Sequence, residues 1–532
     1  MRGHFANTGK LARFIFRRER IISALWLASL ILFIVSLAAG LGDMFDDMAR
    51  AALAETLMNP GMIALMGPVY GAGDYTVGAM YSNTMFLWVA LAVAAMNILL
   101  VVRHTRADEE KGRAEVVRSL PTGRLAILNA TMLTALAVNI ALALLTGLGI
   151  AAMRVETMGL MPSMLFGAAL CAFGLFFAAA AALFSQLSSS SRSASGYSFA
   201  ALGAVFVLRA IGDVGSEAVS LISPLGLVQR SQLYVENYSW PIVAVLLEAI
   251  AVAAAAYALN AVRDVDQGFI SARPGRPEAS RLLGSSSGLA FRLLRNSMAA
   301  WAIILFCLAA SYGTILPDIE MFVAESAFYQ MVIGANDEYS TLEMFTATVN
   351  VIAALAALVP LLTFALRPRL EEREGRAEAV LASPVSRDNF LAGYVAPAFA
   401  ASILFPAVSA FGLYMSSVAV LEEPISLGFL LQANLVFVPA LWVMIGAAVL
   451  LVGALPKATW AIWAYFGFSF FTEFVGRMLD LPGWLGKLTP FGYIPVLPVE
   501  EMNLMALCVV AAVGLALALV GSVCYDRRDL VH

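Results

Sequence analysis

Two charged segments of this chain match each other residue by residue. Arg106 to Arg124 reads RADEEKGRAEVVRSLPTGR, and Arg369 to Arg387 reads RLEEREGRAEAVLASPVSR. Nine of the nineteen positions are identical at a constant offset of 263, and GRAE is unbroken in both. Such residues offer ion pairing and protein docking rather than catalysis. Glu109 with Arg113, and Glu372 with Arg376, stand four apart with the acid first, the favourable order on a helix. Pro121 and Pro384 stop each helix. The expected product is a stiff, charged bar used twice, because charge balance alone would not preserve GRAE.

Other chemistries find little support. The cysteines Cys171, Cys307, Cys508 and Cys524 lie in or beside apolar runs, lack zinc-ligand spacing and read as small hydrophobes. His4, His104 and His532 are too scattered to build a metal or acid–base site, so no metal is expected. A phosphate-cradling loop needs G-x-x-x-x-G-K-[ST]. The only Gly-Lys pairs, Gly9-Lys10 and Gly486-Lys487, are each followed by leucine. The chain is therefore expected not to be an enzyme, and no nucleic-acid partner is expected.

Polar residues inside apolar runs need a reason, since a charge at the bilayer centre costs about 2.5–3.5 kcal/mol on the insertion scale. Glu248 lies in the middle of one run and reads either as a pathway residue or as a buried, paired acid. Arg209 with Asp213, and Glu473 with Arg477, are i,i+4 pairs at run ends; they are candidates for an outer gate or for interfacial pairs. Trp460, Trp463 and Phe470 belong to an aromatic-rich run. With Trp88, Met96 and Asn97 they are candidates for a pathway lining, although aromatics on every face must also meet lipid or other helices.

The elements that carry these residues follow from composition. Of 532 residues, 61% are hydrophobic and 13% charged, against about 25% charged in soluble domains. A bilayer core needs about 20 apolar residues per helix, and runs of that length recur throughout. A β-barrel would show short alternating segments instead. The fold class expected is an all-α polytopic membrane protein with about twelve spans, near 21–41, 81–102, 126–152, 161–186, 195–212, 239–261, 297–316, 343–366, 389–416, 425–454, 459–477 and 501–524. The stretch Ile21–Leu41 is too long for a signal h-region and is expected to remain. With the N-terminus inside, 27 of the 33 Lys and Arg residues fall in inner segments, as the positive-inside rule requires. Both termini are then cytoplasmic.

Further correspondences extend the repeat. Ser223-Pro-Leu-Gly226 matches Thr489-Pro-Phe-Gly492, Asp74-Tyr-Thr matches Glu338-Tyr-Ser, Arg209 matches Arg477, and Arg263-Asp264 matches Arg528-Asp529. The basic amphipathic stretch Leu11–Arg20 matches Leu289–Arg295 ahead of the seventh span. The reading is two parallel six-helix repeats. The first half covers 1–265, with an elbow near 11–20 and a coupling segment at 103–124. A Pro/Gly/Ser-rich cytoplasmic linker follows at 266–288. The second half covers 289–532, with an elbow near 289–295 and a coupling segment at 367–387.

At these residues the chain resembles the permeases of ABC exporters, the type-2 ABC transporter family with the ABCG-like membrane fold. The likeness rests on the elbows, EE-x-x-GRAE…P-x-x-R, the SPLG turn and the terminal Arg-Arg-Asp-Leu. The doubled form is similar to fused permeases of the polyketide-antibiotic (tetronasin-type) multidrug exporters. This resemblance implies coupling helices seated on two copies of a separate ABC ATPase. Their residues would be Glu109, Glu110, Gly112, Arg113, Glu115, Pro121 and Arg124, with Glu372, Gly375, Arg376, Glu378, Pro384 and Arg387. ATP and Mg would bind the ATPase, not this chain. It further implies export of hydrophobic or amphipathic small molecules from the bacterial cytoplasmic membrane, along the second and fifth helices of each half. Leu-Pro-Thr-Gly against Ser-Pro-Val-Ser after the two bars sets the contacts apart. The alternative is a secondary transporter of the major facilitator class, whose G-x-x-x-D-R-x-G-R loop only loosely matches Asp108–Arg113.

Overall fold

A lipid-spanning backbone must satisfy its own hydrogen bonds, which helices do within one segment. The computed structural model describes residues 3–45, 47–264, 267–270, 278–319, 340–475 and 483–529. Among them the regular elements are helices, joined by one isolated bridge between Ser188 and Ile270. Among the described residues, eleven helices are long and apolar enough to cross a membrane, so the chain is an all-α polytopic membrane protein.

The chain forms two compact units, Met1–Pro274 and Gly275–His532. The first unit holds α1 (Thr8–Met44), α2 (Asp47–Leu57), α3 (Pro60–Met66), α4 (Val77–His104), α5 (Arg106–Glu110), α6 (Arg113–Arg118), α7 (Ala126–Ala152), α8 (Leu160–Leu187), α9 (Ser191–Gly215), α10 (Glu217–Ile222), α11 (Pro224–Gln229) and α12 (Trp240–Val262). Helix α8 is its centre, packed by α4, α7 and α12, with α1 against α7. Phe166, Phe173 and Phe177 of α8 recur at helical spacing and are fully buried.

The second unit holds α13 (Ser286–Gly313), α14 (Thr341–Ala365), α15 (Arg367–Arg373), α16 (Arg376–Leu381), α17 (Arg387–Val420), α18 (Leu427–Leu435), α19 (Val438–Ala454), α20 (Ala461–Phe470) and α21 (Leu504–Arg527). Helix α13 packs on α17, and α19 packs on α21. A Cβ on Gly446 would meet the Gly514 carbonyl at 2.2 Å, and one on Gly453 the Gly521 carbonyl at 2.0 Å. Small residues thus let these two backbones touch, as helix pairs do where lipid supplies no hydrophobic drive.

Two expectations change. The stretch Leu11–Arg20 is no separate elbow, because α1 runs unbroken for 37 residues; no proline or glycine interrupts Leu11–Ala39. At about 1.5 Å per residue it is near 55 Å long, beyond the roughly 40–45 Å of a whole bilayer. Leu289–Arg295 is likewise the first part of α13. Of the expected span at 459–477, the structure describes the ten residues of α20 and a π turn over Phe471–Val475. Thr459 and Trp460 form the turn before α20, and residues 476–477 lie outside the described residues.

Candidate functional site

The repeated charged segment continues directly from a membrane helix in both units. Helix α4 ends at His104 and α5 begins at Arg106; α14 ends at Ala365 and α15 begins at Arg367. Neither segment is one stiff bar. Gly112 (φ 66°) and Gly375 (φ 71°) adopt the left-handed conformation and split each segment into two short helices. A Cβ at either glycine would have nothing within 4 Å, so the requirement is backbone freedom, not space.

That turn breaks the expected i,i+4 pairs. Arg113 bonds Asp108 at 3.1 Å instead of Glu109. Arg376 bonds Glu371 and Glu374 instead of Glu372. Across the glycine the base reaches one residue further back than a continuous helix would bring it. The Glu371 carboxylate holds the Arg376 guanidinium above its ordinary pKa.

Glu109 and Glu372 are occupied elsewhere, and by matching partners. Glu109 accepts from Arg106 at 2.8 Å and from Arg263 at 2.5 Å, with Arg118 at 3.9 Å. Glu372 accepts from Arg369 at 3.2 Å and from Arg528 at 2.6 and 2.7 Å. Arg263 and Arg528 are the residues immediately after α12 and α21, both in extended conformation, at φ −70°, ψ 134° and φ −82°, ψ 153°. Their carbonyl oxygens accept from Arg124 at 2.8 Å and from Arg387 at 2.5 Å. Exposure of the side chains is 9% and 4% for Glu109 and Arg263, and 3% and 12% for Glu372 and Arg528. Cations at these helix ends also face the negative pole of the helix.

Other anchors belong to the first unit. Glu110 accepts the backbone N–H of Ser191 at 2.8 Å and its hydroxyl, which caps the start of α9. Arg106 donates to the Ser189 carbonyl at 2.7 Å. Helix α1 reaches the same place: Arg18 bonds Asp108 at 2.6 and 2.9 Å, and Glu19 bonds Arg103 and His104, each at 2.8 Å. His104 is buried. The corresponding residues of the second unit, Asn296, Ser297 and Arg373, cannot repeat these pairs.

What stays accessible is one side of each segment. Glu115, Val116, Leu120 and Pro121 are exposed in the first unit, and Glu378, Ser383 and Pro384 in the second. A cleft of about 560 Å³ opens beside Glu378, Leu381, Val385, Arg387 and Asp526.

The remaining candidates make other contacts, each within its own unit. Arg209 and Asp213 do pair, at 3.5 Å, but the guanidinium is buried and donates mainly to the carbonyls of Ala64 and Leu65 at 2.9 and 3.0 Å. Arg209 therefore caps the C-terminal end of α3, while Asp213 accepts from Ser220 at 2.5 Å. Glu473 is buried and accepts from Thr489 at 3.4 Å; Arg477 lies outside the described residues. Asn97 faces into its own unit. It is buried and shares reciprocal bonds of 3.1 and 2.7 Å with Asn139 of α7. Met96 is buried too, whereas Trp88, Trp460, Trp463 and Phe470 show much of their surface. Glu248 is half-buried, and its Oε2 has no hydrogen-bond partner among the described residues.

Sequence reasoning missed Arg263, Arg528, Arg18, Glu19, His104, Asp108 and Glu371 as members of this cluster. Two signals pointed there: the Arg-Asp repeat at 263 and 528, and an acid at both 108 and 371.

Comparison with known proteins places this arrangement. The sequence model described as "Multidrug efflux system permease Rv1217c, C-terminal domain" matches residues 10–263 and 283–526. The multidrug efflux system permease protein Rv1217c of Mycobacterium tuberculosis is 33% identical over 536 aligned positions, covering 99% of this chain and 96% of that relative.

Proposed function

Because the chain belongs to the family of the multidrug efflux system permease Rv1217c, we propose that it is the membrane-spanning subunit of an ATP-driven drug exporter. The relative is a permease, and the eleven apolar helices here make a multi-pass membrane protein. The observation that carries the ATP-driven reading is the repeated segment. In each unit a buried arginine–glutamate pair anchors it from behind, and its other side is left open to a partner.

On this reading, Glu115 with Val116 and Leu120, and Glu378 with its neighbouring cleft, are the surfaces on which two copies of a separate ABC ATPase sit. ATP and Mg belong to those subunits. Export starts from the cytoplasmic membrane of a bacterium, with both termini cytoplasmic. Hydrophobic or amphipathic compounds, polyketide antibiotics among them, are the cargo. Trp88, Trp460, Trp463 and Phe470 present broad apolar surface to such solutes, and apolar contacts discriminate weakly between similar shapes.

The test is dye accumulation in inside-out vesicles carrying this chain and an ABC ATPase that copurifies with it. ATP-dependent accumulation that disappears when the phosphate-loop lysine of the ATPase is replaced, and survives a protonophore, is the expected result. Accumulation that needs a proton gradient and is indifferent to the ATPase would favour the secondary-transporter reading.

A further inference from the structure

Several contacts of the charged segments recur in both units, and one set ties each segment to another membrane helix. In the first unit α5 is also tied to α9 through Glu110 and to α1 through Asp108. Chain chemistry forbids both in the second, where Arg373 and Asn296 stand instead. The shared tie has two parts. An acid of the segment, Glu109 or Glu372, bonds the arginine that follows the last helix, Arg263 or Arg528. The carbonyl of that arginine accepts from Arg124 or Arg387, the arginine that closes the segment. The last helix of each unit is thereby held at both ends of the segment's outward loop.

We propose that Arg263 and Arg528 are positioning residues, each fixing the charged segment of its unit to the end of the last membrane helix so that a displacement of either is carried to the other. This rests on the ATPase-docking reading above. The geometry suits transmission. Both arginines directly continue a long helix, α12 or α21. Their acid partners are nearly shielded from water, where a charge-assisted bond is strong and short. The glycine turn, by contrast, leaves the exposed part of each segment joined to its own membrane helix through a hinge and the ion pairs that cross it, Arg113 with Asp108 and Arg376 with Glu371. Without the arginine side chain, only the bond from Arg124 or Arg387 to the backbone carbonyl would tie the segment to α12 or α21.

Hydrogen exchange of the full chain in complex with its ATPase, with and without ATP and vanadate, tests this. In the wild type, trapping the nucleotide is expected to alter exchange at residues 255–262 of α12 and at residues 519–527 of α21. Arg263→Gln is expected to speed exchange of residues 106–118 about tenfold in both states, the size of one lost charged hydrogen bond. It is also expected to erase the nucleotide-dependent difference in α12 while two ATPase subunits still copurify. Arg528→Gln should do the same for α21. Arg263→Lys, which keeps the charge and loses the fork, should restore part of the α12 difference, and it serves where Arg263→Gln does not fold. A merely structural arginine would shift both states and preserve their difference. A full nucleotide-dependent difference in Arg263→Gln, or none in the wild type, overturns the positioning role alone. A wild-type chain that binds no ATPase overturns the docking reading, and this proposal with it.

Discussion

Arg209 shows how one buried cation can serve a purpose other than the one its spacing suggests. Its partner at i,i+4, Asp213, stands at 3.5 Å, while the carbonyls of Ala64 and Leu65 are closer. A helix leaves its last four carbonyls without intrahelical partners; in α3 the N–H of Gly67 meets the carbonyl of Ile63 at 2.9 Å, and Arg209 takes the next two. Arg209→Gln should therefore loosen residues 60–66 by about 2 kcal/mol, roughly a thirtyfold rise in their hydrogen-exchange rate. Asp213→Asn should do much less, because Ser220 and the carbonyls remain in place. Equal effects of the two variants would return Arg209 to the role of a simple ion-pair partner. Gly112 supports a second prediction at this scale. Its φ of 66° has open space around it, so Gly112→Ala should cost about 1 kcal/mol from backbone strain alone, and Gly112→Asn less, since asparagine tolerates that conformation. Thermal unfolding of the purified chain that ranks asparagine below alanine would contradict this.

At the scale of elements, α1 is clamped by ion pairs, and α13 shows none among the described residues. Glu19 lies buried between Arg103 and His104, and Arg18 covers Asp108. Removing one partner of a buried ion pair leaves the other uncompensated, at a cost of about 3 kcal/mol. Glu19→Ala should thus release the first turns of α1 and expose the chain to trypsin at Arg13 and Arg17. Glu19→Gln, which still accepts from one neighbour, should resist better. Ser297→Ala in the second unit should change cleavage little, because no charge is orphaned there. Indistinguishable digestion of the Glu19→Ala and wild-type chains would show that the clamp contributes nothing to holding α1.

For the whole molecule, the proposed reading of two segments that each expose one side implies two docked subunits. Native mass spectrometry of the complex should give one copy of this chain with two copies of the ATPase. Two copies of this chain in the complex would be the contrary result. The segments need not bind equally. The first exposes Val116 and Leu120, whereas the second has Ala379 and Ser383 at those positions and a cleft beside Glu378. Truncating Val116 and Leu120 to alanine should therefore weaken one of the two contacts, leaving species with a single ATPase in the same spectrum.

The membrane class, the helices and the duplicated segment were legible in the sequence because each depends on local, periodic or repeated features. Apolar runs of bilayer length leave the backbone no other solution, and identity at a constant offset needs no coordinates to be seen. Partner choice was not legible. Glu109 and Arg113 stand at an ideal helical spacing, and only the left-handed turn at Gly112 shows that the spacing never becomes a contact. Glycine permits that conformation without demanding it. Arg263 lies 154 residues from Glu109 in the chain, and Arg528 lies 156 from Glu372; no local rule joins them. Nor does anything in the run around Asn97 say that Asn139 will meet it inside the unit. Which buried polar groups find each other is decided by how the helices pack, since each must take the partner that packing brings within reach once water is gone.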